Sequence, residues 1–129
     1  MKINTHGLAC ELIIGDPDNE DWRVIKISVN VPEISYNFSC TMQTFDLKDL
    51  KNKLIKLESG KSTEIEWTNL EENILFKLNQ NSLGNIEGSY KFSSNTISVG
   101  PTLSGPFAAD QSYLMSWVSQ LNSEVELGS

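Results

Sequence analysis

The stretch ISYNFSCTMQTFDLKDLKNKLIKLESG, residues 34–60, changes its hydrophobic period once, and that change decides the fold. In its first part Ile34, Tyr36, Phe38, Cys40 and Met42 alternate with Ser35, Asn37, Ser39 and Thr41. This is the period-2 pattern of a strand with one dry and one wet face. In its second part the apolar positions become Leu47, Leu50, Leu54 and Leu57, the stripe of an amphipathic helix. Asp46 stands where an N-cap is expected, and Phe45 and Leu50 have the spacing of a hydrophobic staple. Gly60 stands at the position just past the last turn that favours a left-handed residue. Lys48, Lys51, Lys53 and Lys56 lie off the stripe and read as a solvated face.

Strand patterns continue on both sides. Toward the N-terminus, Leu8–Ile14 reads as a strand, extended back to Lys2–Thr5 across a kink at Gly7. The segment GDPDNED at 15–21 is rich in turn formers. Trp22–Val31 then places Ile25, Ile27, Val29 and Val31 on one face, and Pro32 marks the next turn. Beyond the helix, Ile65 and Trp67 alternate with Glu64 and Glu66, and Asn69–Asn73 forms a turn. Strands follow at Ile74–Leu78, Ile86–Phe92 and Ile97–Val99, with Gly88 marking a bulge or a close backbone approach. The segment GPTLSGPFAA at 100–109 is either a loop pinned by Leu103 and Phe107 or a bulged final strand. Asp110 opens a closing helix with Tyr113, Leu114, Trp117, Val118 and Leu121 on one face.

Connections this short join antiparallel neighbours. The predicted fold is α+β, an antiparallel, curled or two-layer sheet of about eight strands with two amphipathic helices packed on it. Residues 1–122 are expected to form a single globular domain, and 123–129 a frayed acidic tail. The expected core is Ile27, Val29, Tyr36, Phe38, Leu50, Leu54, Trp67, Phe76, Phe92, Leu114, Trp117 and Leu121.

With 129 residues, 39% of them hydrophobic and 21% charged, the chain has the balance of an ordinary globular domain. The opening MKINTHGLAC has no continuous apolar run and does not read as a signal peptide, so the expected compartment is the cytoplasm. The two cysteines, Cys10 and Cys40, each fall in an alternating strand and read as free, buried thiols. A formal net charge of −7 is the wrong sign for gripping phosphates, so nucleic acid is not an expected partner; nor is a membrane, since no apolar stretch approaches the roughly 20 residues needed to cross one. It suits either plain solubility or complementarity to a basic protein.

No catalytic set emerges. His6, the only histidine, has no motif around it, and GxSxG is absent. The triplet Gly60-Lys61-Ser62 imitates the end of a phosphate loop, but it lacks the upstream glycine and follows a helix where a strand is required. Asp16, Asp18, Glu20 and Asp21 share one turn and offer oxygen ligands, yet the spacing of a calcium loop fails, so no metal or other cofactor is expected. Glu71 and Glu72 lie in a turn, and Glu64 and Glu66 share one wet strand face.

Several of these landmarks together resemble the WapI family of immunity proteins. Asp21-Trp22 opens a strand, Asp46-Leu47 opens a leucine helix, and Gly60 closes it. The strand at Ile74–Leu78, the series Gly84, Ile86, Gly88, and DQSYL at Asp110–Leu114 continue the match in order, DQSYL being the most specific. The segment 100–109, with its Gly-Pro pairs, departs from the family pattern. The resemblance implies a non-enzymatic, cytoplasmic antitoxin in contact-dependent competition between bacteria. Such a protein binds and blocks the C-terminal toxin domain, commonly a nuclease, of a secreted polymorphic toxin. The acidic residues expected to meet such a basic domain are Asp16, Asp18, Glu20, Asp21, Glu64, Glu66, Glu71 and Glu72, acting from a monomer or weak dimer. The competing readings are an adaptor for a different partner, or a small-ligand carrier or enzyme using the space between helix and sheet.

Overall fold

The structure, a computed structural model, describes residues 1–94 and 100–126. It is built from two successive ββββα units. The first comprises β1 (Lys2–Thr5), β2 (Leu8–Ile14), β3 (Trp22–Val31), β4 (Ile34–Gln43) and α1 (Thr44–Glu58). The second comprises β5 (Glu64–Thr68), β6 (Ile74–Gln80), β7 (Asn85–Ser93), β8 (Thr102–Asp110) and α2 (Ser112–Glu126). Each set of strands forms an antiparallel four-stranded sheet in sequence order. The α+β class, the antiparallel pairing and the two helices therefore stand as predicted, and of the curled and split alternatives the strands take the split one, as two four-stranded sheets. The two sheets touch edge to edge at one isolated bridge, where His6 and Ala108 exchange backbone hydrogen bonds of 3.1 and 2.9 Å.

The helix stop at Gly60 is as expected, but the start differs. Gln43, not Asp46, is the N-cap, and Asp46 lies at N3 with its carboxylate accepting the Gln43 amide. The staple positions are then Met42 and Leu47, both fully buried, while Phe45 is 54% exposed. Phe45 lies off the Leu47–Leu57 stripe, so helical geometry turns it outward. At the N-terminus the expected kink is a tight hairpin: Thr5 pairs with Leu8 around His6-Gly7, and Gly7 takes a φ of +96° that a side chain would resist.

From Thr102 on, segment 100–109 belongs to a strand, β8, paired along its length with β7. Its one proline, Pro106, is tolerated because the strand lies at a sheet edge, and Pro101 precedes the strand. Gly88 explains the packing here: a Cβ at this position would sit 2.4 Å from the Phe107 ring, which lies across it. The strand predicted at Ile97–Val99 lies outside the described residues. The closing helix runs past the expected boundary at Ser123 to Glu126, because Val125 extends the Leu114, Val118, Leu121 stripe and is 2% exposed. Tyr113, assigned to that stripe, is exposed and stacks on Trp117.

One hydrophobic cluster draws on both sheets and both helices. Within it Trp67, Phe76, Phe92, Tyr90 and Phe107 form a chain of ring contacts with centroids 5.6–6.3 Å apart. The predicted core residues are buried except Tyr36 and Phe38, which are only partly covered because they lie on the half of β4 remote from α1, whereas Cys40 and Met42, where the strand runs into α1, are buried. The packing under α1 is tight. The space among Ile3, Leu50, Leu54, Phe76 and Trp117 is about 10 Å³, at most about one water molecule. A ligand carrier using the space between helix and sheet finds no room there.

Candidate functional site

The N-terminus of α1 gathers two loops that are distant in sequence. A helix start presents amide N–H groups without intrahelical acceptors and a partial positive charge, so carboxylates are drawn to it. From the β2–β3 loop, the Asp21 carboxylate accepts the Thr44 amide at 3.0 Å and the Thr44 hydroxyl as well. From the β5–β6 turn, the Leu70 amide donates to the Asp46 carboxylate at 3.2 Å. Gln43 adds a third tie, its Nε2 donating to the Glu20 carbonyl at 3.1 Å. Trp67 Nε1 donates to the Asp46 carbonyl at 2.9 Å and holds the helix start against β5.

Beneath this junction lies a buried cation. Arg23 is 2% exposed. Its Nε donates to Thr44 Oγ1 at 3.0 Å and its Nη1 to the Gly15 carbonyl at 3.1 Å. Thr44 thus relays between Arg23 and Asp21. The Thr44 hydroxyl bond, aided by the Arg23 charge, holds the Asp21 carboxyl below the usual carboxylate range. Burial pushes Asp46 the other way, above that range, against the two amides that bond it.

Most of the predicted acidic residues come together here. Asp16, Asp18 and Glu20 are exposed on one loop, with Asp21 half-buried beneath them; Glu71 and Glu72 are exposed on the other. Asp18 also shapes its loop, its Oδ1 accepting the amides of Glu20 and Trp22 at 2.8 and 2.9 Å. Asp21 and Glu72 hold left-handed φ values of 65° and 59°. Between the two attachment points, Thr44 and Asp46, stands the exposed Phe45, and Leu70 on the second loop is 63% exposed. Neither apolar residue was legible as a site residue, although the displacement of Phe45 from the leucine stripe was a usable signal.

Glu64 and Glu66 lie elsewhere. They share the outer face of the second sheet with Lys77, Asn79, Glu87 and Ser89, lining an open depression of about 450 Å³. Glu64 aligns across the strands with Asn79 and Glu87, and Glu66 with Lys77 and Ser89. Glu87 was overlooked, although its alternation with Ile86 and Gly88 places it on this wet face. Among the described residues, no group of three or more His, Cys, Asp or Glu side chains converges as a metal site. Nor, among them, is any helix long and apolar enough to cross a membrane.

The fold is shared with MRP1/MRP2 of Trypanosoma bruciei, at 8% identity over 98% of this chain and 83% of that one, with a TM-score of 0.54. It is also shared with WHY3 of Arabidopsis thaliana, at 8% identity over 97% and 85% of the two chains, with a TM-score of 0.51. At this identity the likeness is one of fold alone. No curated protein matches the sequence. Residues 1–127, nearly the whole of the two ββββα units with the loops they gather, match the model of the immunity protein WapI-like family, and the chain belongs to that family.

Proposed function

We propose that this immunity protein neutralises a basic toxin domain, a nuclease, by binding it one-to-one through the junction at the start of α1. Family membership supplies the immunity role and, with it, a protein partner. The observation that carries the choice of surface is that Phe45, at the helix start, and Leu70, on the second acidic loop, are both exposed where hydrogen bonds hold the two acidic loops in place. An apolar centre with a polar rim is the anatomy of a tight interface, and aromatic side chains supply much of its energy. A nuclease must neutralise phosphates with Lys and Arg, so it presents the charge that Asp16, Asp18, Glu20, Glu71 and Glu72 complement. Glu64, Glu66 and Glu87 act at longer range, steering encounter more than fixing the complex. The protein occludes and performs no reaction, and it does so in the cytoplasm of the cell it protects, with neither nucleic acid nor membrane as its partner.

The test is co-expression with the toxin domain encoded upstream, read by growth and copurification. Phe45→Ala and Leu70→Ala should each weaken the complex by about 2 kcal/mol or more, while leaving stability within about 0.5 kcal/mol of wild type. Glu64→Lys with Glu66→Lys should slow association and leave dissociation unchanged. Full protection by a Phe45→Ala, Leu70→Ala double variant would move the interface elsewhere. Cell death despite the wild-type protein, with no complex at low salt, would favour an adaptor with a different partner.

A further inference from the structure

Two carboxylates hold the loops of the α1 junction, and they are tied unequally. Asp21 accepts the amide and the hydroxyl of Thr44, with the Arg23 charge behind them, and its carboxyl is held low. Asp46 is 3% exposed and bonds two backbone amides, Gln43 through Oδ2 at 3.3 Å and Leu70 through Oδ1 at 3.2 Å. The charges that act on it are those of Asp49, three residues along α1, and Glu71, on the β5–β6 turn, and both are negative. On β3, Arg23 directs its bonds to Thr44 and the Gly15 carbonyl. On β4, the Cys40 thiol feels the Asp46 charge, and burial keeps that thiol neutral. Burial, the largest cause, and the two neighbouring acids raise the Asp46 carboxyl above its usual range.

Leu70 stands on a turn that is braced from within. Asn69 and Asn73 are both buried. Asn69 Oδ1 accepts the amides of Asn73 and Ile74 at 2.9 and 3.0 Å, and its Nδ2 donates to Asn73 Oδ1 at 3.2 Å. Asn73 Nδ2 donates to the Ser93 carbonyl at 3.0 Å. Buried side-chain amides are costly unless bonded, and these bonds join the turn to β6 and β7 as one block. The base of the block is fixed to α1 by the Trp67 indole on the Asp46 carbonyl, which does not titrate. Its tip is fixed by the Leu70 amide on the Asp46 carboxylate, which does. Phe45 precedes Asp46 in the chain, so one side chain governs how the two exposed apolar residues stand to each other. Protonation turns one accepting oxygen into a donor, so one of the two amides loses its partner.

We infer that Asp46 positions the toxin site: its ionised carboxylate sets Leu70 against Phe45, and a proton on it releases the β5–β6 turn while the β2–β3 loop stays tied. The inference rests on the toxin surface proposed above. Preformed geometry spares a complex the cost of ordering its loops, so affinity is highest with Asp46 charged. A basic partner stabilises that charge. Binding therefore expels the proton, and affinity falls as pH falls through the raised pKa of Asp46.

The experiment is titration of the toxin domain encoded upstream with the full chain, wild type against Asp46→Asn, each with and without Leu70→Ala. Asparagine has the shape of the protonated carboxyl and likewise leaves one acceptor for the two amides. Asp46→Asn should weaken the complex about tenfold at neutral pH, and by no more than about twofold once Leu70 is Ala. Lowering the pH toward the ordinary carboxyl value, about 3.9, should close the gap between wild type and Asp46→Asn. Hydrogen exchange on the free wild type checks the tie without any variant. Corrected for the intrinsic rate, the Leu70 amide should lose protection over the same pH range, and the Thr44 amide, held by Asp21, should keep it. Equal affinities at neutral pH, an equal loss with and without Leu70, a gap that pH does not close, or a Leu70 amide indifferent to pH would each overturn the inference. Leu70→Ala that binds weakly beside an unaffected Asp46→Asn would overturn this inference alone. Leu70→Ala that binds as tightly as wild type would overturn the choice of surface, and this inference with it.

Discussion

Replacing Asp21 by Ala removes the carboxylate that ties the β2–β3 loop to the first residue of α1. Two hydrogen bonds go, from the Thr44 amide and the Thr44 hydroxyl, and Arg23 loses the anion on the other side of Thr44. A hydrogen bond to a charged group nets about 1.5–3 kcal/mol, and a carboxylate at a helix start adds about 0.3–1 kcal/mol. Asp21 is half-exposed and water can reach the vacated amide, so the sum falls toward the low end, about 2–3 kcal/mol. For a chain of this size that is a drop of about 8–12 °C in melting temperature. Asp21→Asn keeps an acceptor for the Thr44 hydroxyl and tolerates the φ of 65°, so it should lose only about 1 kcal/mol. The pH profile supplies a second reading. The folded-state pKa of Asp21 is depressed, with the Thr44 hydroxyl as the leading cause. The unfolded chain therefore binds the proton more readily. The stabilisation is present above the unfolded carboxyl pKa, near 3.9, and is lost as pH falls through the folded value. Asp46, raised by burial, has the opposite sign: its titration stabilises below the unfolded pKa and that contribution is lost as pH rises. Thermal melts of wild type, Asp21→Ala, Asp21→Asn and Thr44→Ala through the acid range measure all of this. A melting point for Asp21→Ala within about 2 °C of wild type would refute the reasoning. So would an Asp21→Ala, Thr44→Ala cycle additive to within about 0.5 kcal/mol.

Leu54, 1% exposed in the α1 core stripe, should cost about 2–5 kcal/mol when cut to Ala; a urea midpoint that does not move would mean the helix is not packed there. Gly88→Ala forces a methyl into the Phe107 ring, 2.4 Å from its nearest atom, and should cost about 1–3 kcal/mol, partly recovered by adding Phe107→Leu. Burial pushes the Cys10 and Cys40 thiols up to about 12, so a maleimide at neutral pH should label neither until the protein unfolds; rapid labelling of the native protein would contradict that burial. Glu72→Gly relieves a left-handed φ of 59° and should raise stability by up to about 1 kcal/mol in a thermal melt, while removing one charge from the proposed interface.

What the sequence determined by itself was local. The alternation at 34–43 and the stripe from Leu47 to Leu57 report which side of each element is dry, and β4 and α1 form where those periods say. Gly60 ends the helix, and the antiparallel order follows from connections too short for crossovers. Periodicity does not report which dry faces meet. Tyr36 and Phe38 have the same phase as Cys40 and Met42 but are half-covered, because they lie on the half of β4 remote from α1, a distance only the tertiary structure sets. Residues 102–109 join a strand that lays Phe107 across Gly88, a partner nearly twenty positions away. The acidic segments at 15–21 and 69–73 read in the sequence only as two separate turns. They share a surface because Asp21 and the Leu70 amide each find a hydrogen-bond partner in the first turn of α1. Arg23 shares the phase of the dry face with Ile25, Ile27 and Val29, but its charge argued against burial; Thr44 and the Gly15 carbonyl supply the hydrogen bonds that make that burial tolerable. Such partners are chosen by distance in space, which a one-dimensional pattern does not carry.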